Sequence, residues 1–333
     1  MPANRQDAQR MSLDLSVVPY RAPKWLPGGH AQTIYPVLIK APPPPYRRER
    51  WQTPDGDFID LDWIDAAGEA PLVVLFHGLE GSSASHYAVS LMTLLRQRGW
   101  AGVVPHFRGC SGEPNLMPRA YHSGDSAEID WVLRRLRRQF PQRAIFAAGV
   151  SLGGNALLKW LGEREASAGE VIAAAAAVSA PLDLTLCGHH LGAGFNRVYT
   201  QHFLSTLKRN AAEKLLRFPG LFDGPRMHRA RNLYEFDDVV TAPLHGYDGA
   251  DDYWRRASAK PLLRGIRVPT LLLNARNDPF LPAHGLPQPT EISASVTAEF
   301  PHEGGHVGFV TGSLPGRLDW LPQRLLNWFS AKC

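Results

Sequence analysis

The alternation of short apolar runs with helical stretches predicts an α/β fold, a mostly parallel central sheet flanked by helices and interrupted by one helical insertion. Three observations carry this expectation. Over residues 72–178 runs of strand length alternate with amphipathic segments, which implies right-handed crossovers onto a parallel sheet. Between about 182 and 263 the rhythm stops, and amphipathic helical segments rich in leucine and aromatics take over. At Val268 the strand pattern resumes. With 333 residues, 44% hydrophobic and 20% charged, the chain is long enough to bury such a core as one domain carrying an insertion.

Residues 1–45 read as an N-terminal segment, some twenty weakly ordered residues followed by a stretch that packs over the core. The run Pro42 to Pro45 leads into a hairpin, 49–53 and 58–64, turned by Pro54-Asp55-Gly56-Asp57. The core is expected over 46–181 and 264–333. Its buried strands are 72–76, 144–148, the Ala-rich run 171–178, and 268–274; 296–300 alternates as a strand does. A helix is expected over 125–140, with Ile129, Val132, Leu133 and Leu136 as its apolar stripe and Arg134, Arg135, Arg137 and Arg138 on its solvated side. Another follows the strand at 144–148, where the leucines and tryptophan of 155–161 repeat at helical spacing. Within the insertion, 182–263, the main helix is expected over 203–218, and a helix over 319–329 closes the domain. No internal repeat is visible.

The segment Gly149-Val150-Ser151-Leu152-Gly153 lies between a predicted strand and a predicted helix. Strand, G-x-S-x-G, helix is the nucleophile elbow of the α/β-hydrolases, which lifts a serine hydroxyl to the top of the sheet beside the positive end of a helix. Glycines at 149 and 153 fit a strained turn in which side chains would strike the neighbouring strand or helix. A serine hydroxyl is a poor nucleophile at neutral pH, so a base and an orienting acid must follow in the chain. Asp278, just past the C-terminal end of the strand at 268–274, stands where active-site residues of parallel sheets collect. Asp183, after the strand at 171–178, is the rival acid; its alternative role is to cap the next helix. On the loop Pro301-His302-Glu303-Gly304-Gly305-His306, His306 is the expected base. His302 is its rival, but it lies closer to the strand and lacks the two preceding glycines.

Acyl transfer also needs donors for a tetrahedral oxyanion. The strand at 72–76 ends in His77-Gly78-Leu79-Glu80-Gly81-Ser82-Ser83, a turn that presents the backbone N–H of Leu79; the second donor is that of Leu152, the residue after the nucleophile. Each such donor is worth about 3–4 kcal/mol of transition-state stabilisation. His77 is expected to hold this loop by hydrogen bonds rather than to act as a base.

On these motifs the chain resembles the YheT-like branch of the α/β-hydrolase superfamily, bacterial hydrolases related to eukaryotic medium-chain ester hydrolases and lipases. The matching stretches are Trp25-Leu26-Pro27-Gly28-Gly29-His30-Ala31-Gln32-Thr33, residues 76–83, and Arg108-Gly109-Cys110-Ser111-Gly112-Glu113-Pro114-Asn115. Residues 149–155, Thr241-Ala242-Pro243-Leu244-His245-Gly246-Tyr247, residues 274–282, and Gly304-Gly305-His306-Val307-Gly308-Phe309 complete the set. They span nearly the whole chain beyond about residue 20. The resemblance implies that Ser151, Asp278 and His306 form a charge-relay triad, and it supplies no defined physiological substrate.

The remaining features narrow the function. No run of eighteen apolar residues predicts a transmembrane helix. The polar start, Met1 to Asp7, lacks the apolar region of a secretion signal, and three scattered cysteines fit a reducing compartment; together they point to the cytoplasm. The net charge of +5 invites a nucleic-acid partner, but its densest cluster is the solvated face of the helix at 125–140, so no nucleic acid is expected. Transient contact of those arginines with an anionic membrane surface is the other use they serve. His189, His190, His202 and His228 match no zinc spacing, and neither metal nor cofactor is expected. A serine hydrolase of small-molecule carboxylic esters, of short to medium acyl chain, is the expected function. An acyltransferase with the same triad and a non-catalytic binding module on this fold are the alternatives. In the insertion, a place where this fold carries a lid, Leu191, Phe195, Tyr199, Phe203 and Leu207 are candidates to line an acyl pocket or else to pack the insertion's own core. No fixed array of polar groups is expected there.

Overall fold

In this computed structural model residues 19–333 are described. The expectation for the opening residues therefore lies, up to residue 18, outside the described part. From residue 19 the chain runs into helix α1 (Gly29–Leu38) and then the hairpin of β1 (Arg47–Gln52) and β2 (Phe58–Ile64). The hairpin turns at Gly56, whose φ of 80° favours a residue without Cβ. Its first strand starts and ends earlier than the alternation predicts, because Arg47 and Arg48 also pair across to Trp63 and Asp62.

Strand β3 (Leu72–Phe76), helix α2 (His86–Gln97), β4 (Ala101–Pro105), α3 (Ser126–Gln139), β5 (Ile145–Val150), α4 (Leu152–Arg164) and β6 (Ala174–Val178) follow in alternation. Between β6 and the next strand the regular structure is helical: α5 (Leu184–Leu191), α6 (Arg197–Arg217), α7 (Gly224–Arg229), α8 (Leu233–Phe236), α9 (Ala242–Leu244) and α10 (Ala250–Ala257). One π-helical turn, Asp237–Thr241, joins α8 to α9. Helix α6 begins six residues before the predicted 203–218. The chain then returns to the sheet in β7 (Thr270–Leu273) and β8 (Val296–Glu299) and ends in α11 (Trp320–Ser330).

Among the described residues these strands form one eight-stranded sheet in the order β1-β2-β4-β3-β5-β6-β7-β8. From β4 to β8 all pairs are parallel; β2 pairs antiparallel with both β1 and β4. Strand β3 is buried on both faces, as a strand covered by helices on both sides must be. Leu72, Val74 and Phe76 pack with Ile129, Leu133, Leu157 and Trp160 of α3 and α4. Val73 and Leu75 pack on the other side with Met92, Leu95, Leu325 and Phe329 of α2 and α11. The chain steps from β3 outward to β4 and then back across to β5. A crevice therefore opens beyond the C-terminal ends of β3 and β5, the place where open parallel sheets bind ligands.

The arginine-rich face of α3 is used within the fold. Arg134 pairs with Asp130, Arg135 lies 4.1 Å over the Trp51 ring, and Arg137 donates to the carbonyls of Val171, Phe140, Pro141 and Arg143. No helix among the described residues is long and apolar enough to cross a membrane.

Candidate active site

Ser151 sits between β5 and α4 with φ 52° and ψ −121°, a conformation an L-residue adopts only when its surroundings enforce it. Its amide donates to Val178 O at 2.8 Å, which ties the turn to β6. The two flanking glycines are required by contact. A Cβ on Gly149 would lie 2.5 Å from Gly153 O, and one on Gly153 would lie 2.5 Å from both Phe76 O and His77 O. The turn is thus wedged against the end of β3, and Ser151 Cβ lies 3.2 Å from where a Cβ on Gly78 would be.

The hydroxyl of Ser151 lies 3.0 Å from His306 Nε2, and His306 Nδ1 lies 2.8 Å from Asp278 Oδ2. A carboxylate only accepts, so Nδ1 carries the proton and Nε2 accepts from the serine. The Asp278 side chain is fully buried. Its second oxygen accepts from the Phe280 amide at 2.8 Å, and the Phe280 ring stacks on the imidazole with centroids 4.1 Å apart. The histidine is therefore held by its acid, by an aromatic face, and by its own loop.

That loop is braced from outside the sheet, by residues whose role is not evident from local sequence. Thr33 Oγ1 of α1 accepts from the His306 amide at 2.8 Å. Gln32, fully buried, accepts from the Gly304 amide and from Asn277 Nδ2 through one oxygen, each at 2.9 Å, while its Nε2 donates to Leu26 O. Asn277 Oδ1 accepts from the Gly305 amide, and Ser179 Oγ accepts from that of Val307. Helix α1 can press so closely only because Gly308 lacks a side chain, a Cβ there lying 2.0 Å from Gln32 O. Among the described residues, five of the six non-glycine residues with positive φ, Glu80, Ser151, Ser179, Val307 and Phe309, lie in these loops, where surrounding contacts hold the strain.

The rival residues are elsewhere. Asp183 caps α5, accepting from the Leu186 amide at 3.0 Å, and His302 is exposed. His77 is fully buried, with Nδ1 on Gly78 O at 2.8 Å and Nε2 accepting from the Phe107 amide at 3.0 Å. Burial pushes its pKa down to about 3, so it stays neutral and holds two loops together.

The amides on either side of Leu79 are engaged: Gly78 N–H donates to Tyr87 and Glu80 N–H to Tyr121. The Tyr121 hydroxyl in turn donates to Glu80 Oε1 at 2.7 Å. Burial holds the Glu80 carboxyl above its ordinary pKa against the hydrogen bond from Tyr121. Leu152 is the first residue of α4, where helix geometry leaves backbone N–H groups without intrahelical acceptors.

Ser151, His306, Leu79 and Leu152 open onto one cavity of about 550 Å³ beneath the insertion. Of the apolar residues singled out from sequence, Leu191, Phe203 and Leu207 line it. Phe195 and Tyr199 do not: they pack on His30 of α1 instead, Phe195 from the turn Gly194–Asn196 that leads into α6 and Tyr199 from the first turn of α6. The insertion has a core of its own as well, in which Leu204, Phe222, Met227, Phe236 and Val240 pack together. The expected lack of fixed polar groups is corrected by part of the cavity's lining. There Lys214 donates to Asn115 Oδ1 and Met117 O, Arg217 donates to Asn115 O, and Asn210 donates to Glu80 Oε2. Long polar side chains of α6 reach the loops after β3 and β4, a pairing that hydropathy along the helix does not reveal. Among the described residues no group of three or more potential ligands is placed to hold a metal ion.

Residues 71–313 match the α/β hydrolase fold family. The chain is 41% identical over 331 residues to YheT of Escherichia coli, described as a candidate esterase, covering 97% of this chain and 96% of that protein. It is 32% identical over 302 residues to human phospholipase ABHD3, covering 87% and 73% of the two chains. An esterase of Pyrococcus furiosus shares the fold, with a TM-score of 0.55 at 17% identity over 86% of this chain and 91% of that one. The protein thus belongs to the α/β-hydrolase family, in its YheT-like branch of esterase- and lipase-type hydrolases.

Proposed function

We propose that this protein hydrolyses carboxylic esters of small-molecule and lipid alcohols through an acyl-enzyme on Ser151, with His306 as base and Asp278 as the group that orients it. The observation that carries the reading is the row Ser151 Oγ, His306, Asp278, bonded at 3.0 and 2.8 Å at the mouth of a cavity. In the first half-reaction Nε2 takes the hydroxyl proton as Oγ attacks the ester carbonyl. The oxyanion is received by the N–H groups of Leu79 and Leu152, and the alcohol leaves with the proton that Nε2 returns. Water, deprotonated by His306, then releases the acid and restores Ser151. Asp278 keeps Nδ1 protonated throughout and stabilises the imidazolium that forms.

The helical stretch 182–263 acts as the cap over this site, on a core of 46–181 and 264–333, with the segment before residue 46 packed on that core. The apolar lining from Leu191, Phe203 and Leu207 supports a short- to medium-chain acyl group, and the name of the human relative supports lipid alcohols. Three unpaired cysteines support work in a reducing compartment, the cytoplasm. The test is Ser151→Ala. It is expected to stay folded, to lose labelling by a fluorophosphonate probe, and to drop kcat by on the order of 10⁴–10⁶, as the loss of its serine does in subtilisin, where the triad acts as a unit. Equal labelling of both proteins refutes the assignment.

A further inference from the structure

Helix α1 is inverted relative to an ordinary surface helix. It buries Gln32 and Thr33 against the His306 loop, with Pro36 buried beyond them, and turns Ile34, Val37 and Leu38 outward, 43%, 61% and 67% exposed. The inner face is polar because its task is to hold backbone amides. Nothing in that task calls for an apolar outer face, and isolated exposed apolar residues are ordinary whereas a contiguous patch is not.

The patch extends beyond α1. His30 packs edge-on to Phe195, 4.7 Å between centroids, and its Nδ1 meets Tyr199 OH at 3.0 Å, which joins the start of α6 to α1. Phe195 and Val198 are each 57% exposed there. On the other side Tyr35 donates to Pro315 O and Trp25 to Gly312 O, bringing up the loop that carries Leu314, 69% exposed. Six of the nine exposed large apolar side chains among the described residues thus fall on this one face.

The charges flanking it are mostly basic. From Pro19 to Tyr46 the chain carries Arg21, Lys24 and Lys40 and no acidic residue, Arg197 opens α6, and beyond Leu314 Arg317 pairs with Asp319. Glu303, exposed on the His306 loop, accepts from Gln32. The face also leads to the chemistry: Tyr199 packs on Phe280 at 4.7 Å, and Phe280 stacks on His306.

We infer that the outer face of α1, with the start of α6 and the loop bearing Leu314, docks the protein on an anionic phospholipid bilayer, α1 lying in the plane of the interface. Apolar side chains enter the acyl boundary while the flanking lysines and arginines meet lipid phosphates, the arrangement by which interfacial helices bind. This assigns membrane contact to a face different from the arginines of α3, which are engaged within the fold. The inference rests on the lipid-ester reading only for its purpose; binding is measurable without turnover.

The test uses the full chain carrying Ser151→Ala, so that lipid is not consumed, in co-sedimentation with vesicles of phosphatidylcholine and phosphatidylglycerol in equal parts. Val37→Glu with Val198→Glu, added to that chain, is expected to lower vesicle partitioning by at least about tenfold. Vesicles of phosphatidylcholine alone are expected to bind the parent more weakly. In the active protein the same two changes leave kcat/KM for soluble p-nitrophenyl butyrate within about twofold, since neither side chain lines the cavity. The inference is overturned if the parent does not bind the mixed vesicles, if the variant binds equally well, or if neutral vesicles bind as tightly as anionic ones. It is overturned too if the variant turns a dimer of the parent into a monomer, for the patch then belongs to a second copy. Vesicle binding by a protein that cleaves no ester leaves the docking face standing and removes the hydrolase reading.

Discussion

At the scale of single residues the candidate site depends on which carboxylate reaches the imidazole. Asp278 touches His306 Nδ1, whereas Asp183 spends its side chain on the N-terminus of α5. Exchanging a carboxylate for an amide at the first position removes the group that fixes the tautomer; at the second it weakens a helix cap worth about 1 kcal/mol. Asp278→Asn is therefore expected to lower kcat/KM at least about a hundredfold, and Asp183→Asn less than about tenfold. Steady-state kinetics on one soluble ester compares them, and the opposite ranking transfers the acid to Asp183. Strand ends and loop glycines were sufficient to pick out Ser151, Asp278 and His306 as candidates. Thr33, Gln32, Asn277 and Ser179 carry no such local mark, because a side chain that accepts from an amide 28 to 273 positions away leaves no periodicity behind.

At the scale of elements, α1 shows how a helix outside the sheet bears on the site. Its buried Gln32 holds the Gly304 amide, Asn277 Nδ2 and Leu26 O, so truncation leaves two donors and one acceptor without that partner at about 1–3 kcal/mol each. The His306 loop loses its brace at the same time, and displacements of about 1 Å at a catalytic group cost up to about a hundredfold in rate. Gln32→Ala is expected to lower Tm and to reduce kcat by about tenfold or more with little change in KM, since Gln32 does not line the cavity. A variant that loses Tm while retaining kcat would assign Gln32 to stability alone. The same scale explains the element boundaries that differ from expectation. Strand β1 starts early because Arg48 pairs with Asp62 of β2 and Arg47 with Asp65 just beyond it, and α6 starts early with Tyr199 in its first turn packed on His30.

At the scale of the whole molecule the cavity between the sheet and the insertion bounds the substrates open to the proposed esterase. An apolar wall rewards each methylene by roughly 0.8 kcal/mol, about fourfold in kcat/KM, until the space is filled. The rate constant for p-nitrophenyl esters is accordingly expected to climb from acetate to an optimum between about C4 and C10, with peptides left uncleaved. A strong preference for acetate, or faster cleavage of a peptide than of any of these esters, would show that Leu191, Phe203 and Leu207 do not receive an acyl chain. The polar part of the lining, where Lys214, Arg217 and Asn210 meet the loops after β3 and β4, limits how far that apolar reward extends.

The sequence by itself determined the fold class, the elbow around Ser151 and the order of the candidate triad. Each of these is written in short-range signals: apolar runs of strand length, glycines where a turn tolerates no Cβ, an acid and a histidine just past strand ends. Only the tertiary structure decided what meets what across the chain. It placed Gln32 and Thr33 under the His306 loop, brought Lys214 to Asn115, carried Phe195 and Tyr199 away from the cavity, and left the apolar side of α1 facing outward. These are contacts between segments far apart in sequence, chosen by packing and by the pairing of buried polar groups, and neither leaves a local pattern to read.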